Sequence, residues 1–182
     1  MPISRRCAAC AALCAFIAVA IPACRPNLVG GRSASADLVD TAGRSVGTLS
    51  LREASGGSLR IDGQMRGLPV GTHGIHFHAT GQCDATGAFA SAGPHFNPAS
   101  RKHGLESPDG PHAGDLPNLA IGAGGTGNFR TNTTRVSLGS DAASLLDADG
   151  SAVVVHVAQD DQRTDPSGNS GARIACGVIV VR

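Results

Sequence analysis

The sequence predicts an all-β fold, an eight-stranded Greek-key barrel or sandwich. Three observations carry this. Short alternating or β-branched runs recur along the chain between Gly-rich turns. No 12-residue stretch keeps a helical period. Glycine and proline number 25 and 10 among 182 residues, a turn-rich composition that stays below the ~25–30% typical of low-complexity chains.

The strands follow in order. Ala36–Asp40, Ser45–Leu51 and Ser58–Met65 come first, parted by Ala42-Gly43-Arg44 and Ser55-Gly56-Gly57. Gly74–Ala79 is next. After a long break come Leu119–Ile121, Gly127–Asn132 and Thr134–Leu138, and Ser151–Ala158 and Ala175–Val181 close the chain. Strands this short and this numerous suit a barrel or a pair of packed sheets. Two segments break the rhythm: Thr80–Asn118, and the polar Gln159–Arg173 with Asp160, Asp161 and Asp165. Loops of that length in a compact domain are usually functional or disordered.

Charge and composition exclude some functions. The formal charge is +1 and charged residues are 16%, so no basic field awaits nucleic acid. Aromatics are 3%, all of them Phe, which removes the usual platforms for stacking bases. No apolar run is long enough to span a bilayer.

The first 24 residues differ from the rest. Arg5 and Arg6 precede an apolar or Cys run from Ala8 to Ile21, and Pro22, Ala23 and Cys24 follow. A basic start, a short apolar stretch and a small residue before a cut predict a secretory signal over residues 1–24. Ile21-Pro22-Ala23-Cys24 resembles a bacterial lipoprotein signal, with Cys24 lipidated, although Pro22 is unusual in that place. Ordinary cleavage near Ala23 is the alternative. A single acyl chain holds a membrane weakly, so stable anchoring would need two or more chains on Cys24. The expected location is the periplasm or cell envelope. Beyond the signal, 13 basic residues face 14 acidic ones. Residues 25–35 read as a flexible tether, and residues 36–182 as the domain.

Cysteine usage agrees with export. Cys7, Cys10, Cys14 and Cys24 lie in the signal, which leaves Cys83 and Cys176. Two cysteines in an exported domain read most simply as a disulfide, with two buried free thiols as the alternative. Closing a loop that long is worth roughly 4–5 kcal/mol in the chain-entropy model.

The histidines point to chemistry. All seven lie between residues 73 and 156, six of them within 40 residues. His76-Phe77-His78 falls on a predicted strand, where alternate residues share a face, so both rings can reach one metal. His-x-His alone does not decide this. His156 sits in the apolar run Val153–Val157, where the default is a core histidine with a partner elsewhere in the fold. Four imidazoles in a tetragonal arrangement favour Cu(II). A second cluster, His95-x7-His103-x8-His112-x2-Asp115, offers the three imidazoles and one carboxylate of a tetrahedral zinc site. A solvated His-rich loop is its alternative.

Several of these segments together resemble the copper/zinc superoxide dismutases. Gly71-Thr72-His73-Gly74-Ile75-His76-Phe77-His78 is similar to the family's first signature. Gly93-Pro94-His95-Phe96-Asn97-Pro98, Ser100–Gly104 and His112-Ala113-Gly114-Asp115-Leu116 are similar to its bridging and zinc-loop segments. Gly168-Asn169-Ser170-Gly171-Ala172-Arg173-Ile174-Ala175-Cys176-Gly177-Val178-Ile179 matches its second signature. The resemblance covers residues from about 36 to 182.

It implies one copper on His76, His78, His95 and His156, and one zinc on His95, His103, His112 and Asp115. His95 would bridge the two as an imidazolate. His73 would be structural. Asp160 would link a copper histidine to a zinc histidine and fix their orientation. Cys83 and Cys176 would form the family's disulfide. Arg173 would attract superoxide beside the copper. The implied reaction turns two superoxide anions and two protons into dioxygen and hydrogen peroxide, with His95 taking up and returning a proton. The family admits a monomer or a homodimer.

The Gln159–Arg173 loop has no Lys. Asp161 and Asp165 would repel superoxide if they faced its channel, so steering weaker than in lysine-rich members is expected. Two rivals compete with the enzyme: a copper- and zinc-binding protein without turnover, and a surface domain whose metal only stabilises a sandwich. A complete copper set together with Arg173 favours the enzyme, because neither rival needs both.

Overall fold

A computed structural model describes residues 31–182. The predicted signal and most of the predicted tether, Cys24 included, lie outside the described residues. Ten strands occur among the described residues: β1 (Ser33–Asp40), β2 (Ser45–Glu53), β3 (Leu59–Met65), β4 (Gly71–His73), β5 (Ile75–His78), β6 (Leu119–Ile121), β7 (Gly127–Thr133), β8 (Ala152–His156), β9 (Arg173–Val178) and β10 (Val180–Val181). Among the described residues the helical content is one short 3-10 turn, Ala90–Ala92. The all-β expectation is met.

The main sheet runs β5-β8-β9-β1-β2-β3-β7, with β10 added beside β1. Every pair in it is antiparallel. β4 and β6 form a separate ribbon. The ribbon bridges the two ends of the sheet, because β4 leads into β5 and β6 packs beside β7. The order is a Greek key: β8 and β9 return from the end of the chain to lie between β5 and β1.

The strands form where two-residue periodicity matches a half-buried surface. In β3, Leu59, Ile61, Gly63 and Met65 are buried, while Arg60 and Gln64 are exposed and Asp62 lies between. β5 and β8 are buried at every residue. Their alternate residues serve two sides. Ile75, Phe77, Val153 and Val155 join the barrel core with Leu38, Leu49, Ile61 and Leu119. Ala152 and Val154 face outward into a smaller cluster with Phe89, Ala92 and Cys176. His76, His78 and His156 share that outward parity. The chemistry is therefore mounted on the outside of the wall.

The structure corrects the sequence reading in several places. Ser33–Ser35, read as the end of a tether, open β1 and pair with β2 and β10. Gly74–Ala79, read as one strand, is the end of a longer run broken at Gly74, whose N–H donates to the Ala158 carbonyl and whose carbonyl accepts the His156 N–H. Ala175–Val181 is likewise two strands. Thr134–Leu138 is not a strand. Its Val136 and Leu138 are buried as an alternating pattern suggests, but Ser137 makes only an isolated bridge to Ser144. Arg135 there turns inward and donates to the Asp115 carbonyl at 2.6 Å. Alternation reported burial correctly, but no neighbouring strand edge was available for pairing.

Candidate metal centre

The 79–118 segment folds back over the outer faces of β5 and β8. Isolated bridges His76 to Asp115 and His78 to His95 pin it there. Phe96 N–H donates to the Phe77 carbonyl, and Phe77 N–H to the Gly114 carbonyl. The Cys83–Cys176 disulfide, with 5.7 Å between its Cα atoms, fastens the start of the segment to β9.

Two groups of four candidate ligand atoms result: His76, His78, His95 and His156, and His95, His103, His112 and Asp115. Within each, the ligand atoms lie within 4.8 Å of one another, and every member is buried. His95 belongs to both groups.

In the first group, hydrogen bonds choose the tautomers. His78 Nδ1–H donates to the Gly93 carbonyl at 2.8 Å. His156 Nδ1–H donates to the Gly171 carbonyl at 3.0 Å. His76 Nε2–H donates to Asp160 Oδ2 at 2.6 Å. Each ring is left with a bare nitrogen on its other side. Those nitrogens, His76 Nδ1, His78 Nε2 and His156 Nε2, together with His95 Nε2, are buried without a hydrogen-bond partner. Four converging, unsatisfied lone pairs would be costly in a closed protein interior, and a cation satisfies all four. An all-imidazole set suits copper.

In the second group the four atoms have near-equal spacings. Asp115 Oδ1 stands 3.0 Å from His95 Nδ1, 3.1 Å from His103 Nδ1 and 3.4 Å from His112 Nδ1. His95 Nδ1 and His112 Nδ1 are 3.4 Å apart. The edge of a tetrahedron with ~2.0–2.1 Å metal–ligand bonds is about 3.3–3.4 Å. The other Asp115 oxygen, Oδ2, accepts the main-chain N–H groups of Gly104 and His112. That leaves Oδ1 facing the three rings.

Asp160 joins the groups from behind, through Oδ2 to His76 and through Oδ1 to His103 Nε2 at 3.0 Å. Two residues without an assigned role in the sequence reading make this geometry. Asn118 clamps the Asp160 main chain through its side-chain amide, at 2.8 and 2.9 Å. Gly168 has a φ of +62°, and a Cβ there would lie 1.8 Å from Asp160 Oδ1. Gly168 was legible as part of a motif, but its reason is a close approach invisible in sequence. His73 lies outside both groups, with its ring between the carbonyls of His156 and Pro69, 2.8 Å from each.

Arg173 opens β9 directly opposite His156. Its two terminal nitrogens donate to the carbonyls of Phe89 and Gly93, each at 2.6 Å. Phe89 is fully buried and takes a left-handed φ of +62°, a conformation costly for a side chain of this kind and kept where surroundings enforce it. It turns the carbonyl toward the guanidinium.

Burial pushes the His76 ring down to about 3, against the pull of Asp160. It pushes His156 down to about 4, with nearby Arg173 adding to the effect. Burial also lowers His78 and His95. His103 goes the other way. Burial opposes its charged form, but Asp115 and Asp160 outweigh this and raise it to about 9. The rings with bare nitrogens are thus neutral and ready to ligate. An unfolded chain protonates these rings near ~6.5, whereas the folded one resists. The metal-free protein should therefore lose stability as pH falls from ~6.5 toward 4. The His103 contribution is fully present below ~6.5 and is lost only as pH rises through about 9, so it does not offset that loss. Thermal unfolding of the metal-free chain at pH 7 and pH 4.5 checks this, and equal midpoints would refute it.

The 157–172 loop is engaged with itself and with the 79–118 segment. Asp161 accepts from the Arg163 and Thr164 main chain, the Thr164 hydroxyl and Asn169. Arg163 pairs with Glu106 at 2.5 Å. Asp165 pairs with Lys102.

The family model described as copper/zinc superoxide dismutase matches residues 45–179. The chain is 41% identical over 148 residues to superoxide dismutase [Cu-Zn] 2 of Aquifex aeolicus, covering 80% of this chain and 85% of that one. It is 41% identical over 145 residues to the superoxide dismutase-like protein YojM of Bacillus subtilis, covering 79% and 74%. A crystal structure of a superoxide dismutase-like protein from Bacillus subtilis superposes with a TM-score of 0.77 at 40% identity, over 80% of this chain and 97% of that one.

Proposed function

Because the chain belongs to the copper/zinc superoxide dismutase family, we propose that it dismutates superoxide, with copper on His76, His78, His95 and His156 and zinc on His95, His103, His112 and Asp115. The observation that carries this is the set of four buried, unpartnered nitrogens, one of them on a ring whose other nitrogen stands in the second group. Copper, when bound, supplies the electron exchange between successive superoxide anions, while zinc has no redox chemistry and holds its ligands in place.

The chain's own residues do the rest. Arg173 presents a fixed positive charge beside His156 and draws the anion in. Its two carbonyl partners leave the guanidinium little freedom, so the anion meets one orientation. His95 Nε2 is the atom at which a proton is held and delivered to the product. Asp160 and the Gly93 and Gly171 carbonyls keep the other rings aimed inward. The reaction consumes two superoxide anions and two protons and releases dioxygen and hydrogen peroxide.

A storage or buffering protein on the same fold is the second reading, favoured by the similarity to a protein named only superoxide dismutase-like. Metal analysis with a superoxide-consumption assay, before and after adding copper, separates the two. The enzyme reading expects one copper and one zinc per chain and activity that follows copper. Full loading without turnover would establish the storage reading. The same assay measures steering. With Asp161, Asp165 and Arg163 paired as described, Arg173 acts with little help. The rate should fall by about two- to three-fold between low and physiological ionic strength, as screening shortens the field. No fall at all would refute attraction by Arg173.

For location, we propose export of the mature chain to the periplasm or cell envelope, with Cys24 as the lipidation point. The basic start and apolar run of residues 1–24 support this.

A further inference from the structure

We propose that Asp165 is a positioning residue for the zinc-facing atoms, tying the main chain at His103 and orienting the ring of His112. The inference rests on the zinc assignment above. Asp165 lies on the 157–172 loop, yet its carboxylate contacts Lys102 and His103 of the 79–118 segment. Oδ1 accepts the main-chain N–H of His103 at 2.8 Å. Oδ2 accepts from Lys102 Nζ at 3.2 Å. Oδ1 also stands 3.8 Å from His112 Nε2.

A ring that offers Nδ1 to a metal keeps its proton on Nε2, and an outer acceptor for that N–H fixes both tautomer and angle. His95 turns its Nε2 to the other group. His103 gives its Nε2 to Asp160. For His112 the approaching outer carboxylate is Asp165. At 3.8 Å the interaction is electrostatic rather than a direct hydrogen bond, and the negative charge favours the Nε2–H tautomer that leaves Nδ1 bare. The His112 side chain is 7% exposed and that of Asp165 41%, so solvent screens the pair from the carboxylate side only. The same contact latches two loops that are distant in sequence. It stands in a surface cleft lined by Ser100, Lys102, His112, Asp147, Asp165 and Pro166.

The test loads the full protein with zinc and copper and challenges it with the chelator 4-(2-pyridylazo)resorcinol. Asp165→Asn should release zinc about 10–100-fold faster than the parent, the scale for loss of an outer partner, with the copper absorption unchanged. With cobalt(II) in place of zinc, the visible spectrum of Asp165→Asn should differ from the parent's, because the bands follow the geometry of the ligands. Asp161→Asn, whose carboxylate serves its own loop, should behave as the parent. Release within two-fold of the parent, or an unchanged cobalt spectrum, overturns the inference. Should Asp165→Asn fail to fold, the zinc-loaded parent decides. A His112 Nε2–H proton seen by NMR in water supports the inference, and one exchanging too fast to observe overturns it. If His112→Ala holds zinc as tightly as the parent, the zinc assignment itself is wrong and the inference falls with it.

Discussion

His156→Ala retains its zinc and loses its copper, and superoxide consumption drops to the uncatalysed background. The variant removes one of the four bare nitrogens of the first group and none of the atoms of the second. The remnant of three nitrogens cannot recover the fourth contact, because two of them sit on β5, which antiparallel pairing of Ile75–His78 with Ala152–Val155 fixes against β8. The fold should survive. Replacing a buried ring by a methyl group costs about 2–4 kcal/mol. The main-chain bonds at this position remain, including His156 N–H to the Gly74 carbonyl. Metal analysis by mass spectrometry, paired with the activity assay, reads both outcomes. Full copper occupancy in this variant would show that His156 is not a ligand.

Arg173→Ala keeps both metals and loses about 10-fold or more in kcat/KM, the scale of removing one well-placed electrostatic contact. Arg173 contributes no atom to either ligand group. Its removal leaves the carbonyls of Phe89 and Gly93 without the guanidinium, so some loosening of the 83–93 segment accompanies the loss of charge. The disulfide limits that loosening by holding Cys83 to β9. Arg173→Lys separates the two effects, since it keeps the charge but cannot bridge both carbonyls in one plane. An intermediate rate is expected for it. An Arg173→Ala protein as fast as the parent would leave the anion without its attractor, and the steering account would fail.

The candidate ligands were legible because imidazoles are few and their spacing is unusual. Strand parity placed His76 and His78 on one side, and that is where they stand. His156 was the harder case. An apolar run says buried, and only tertiary pairing reveals that this buried face looks outward at β5. The long break at 79–118 was legible as a loop, but not how it is held: the Phe77 and Phe96 main-chain bonds, the Asn118 clamp on Asp160 and the space at Gly168 all depend on approaches between segments remote in sequence. Asp165 shows the limit most clearly. Its charge raised a question about the substrate channel, whereas its contacts are with Lys102 and the main chain of His103. Thr134–Leu138 misled for the opposite reason, since alternating burial also suits an irregular segment that covers a core.

His95 and Asp160 each touch both ligand groups, and this has a thermodynamic consequence. Filling one pocket orients a ring and a carboxylate that the other pocket also uses. The two binding equilibria are therefore linked, and linkage is reciprocal: whatever factor zinc applies to copper affinity, copper must apply to zinc affinity. With both ions bound as proposed, occupancy under metal scarcity would be a joint property of the pair, and the supply of either ion would set the population that carries both.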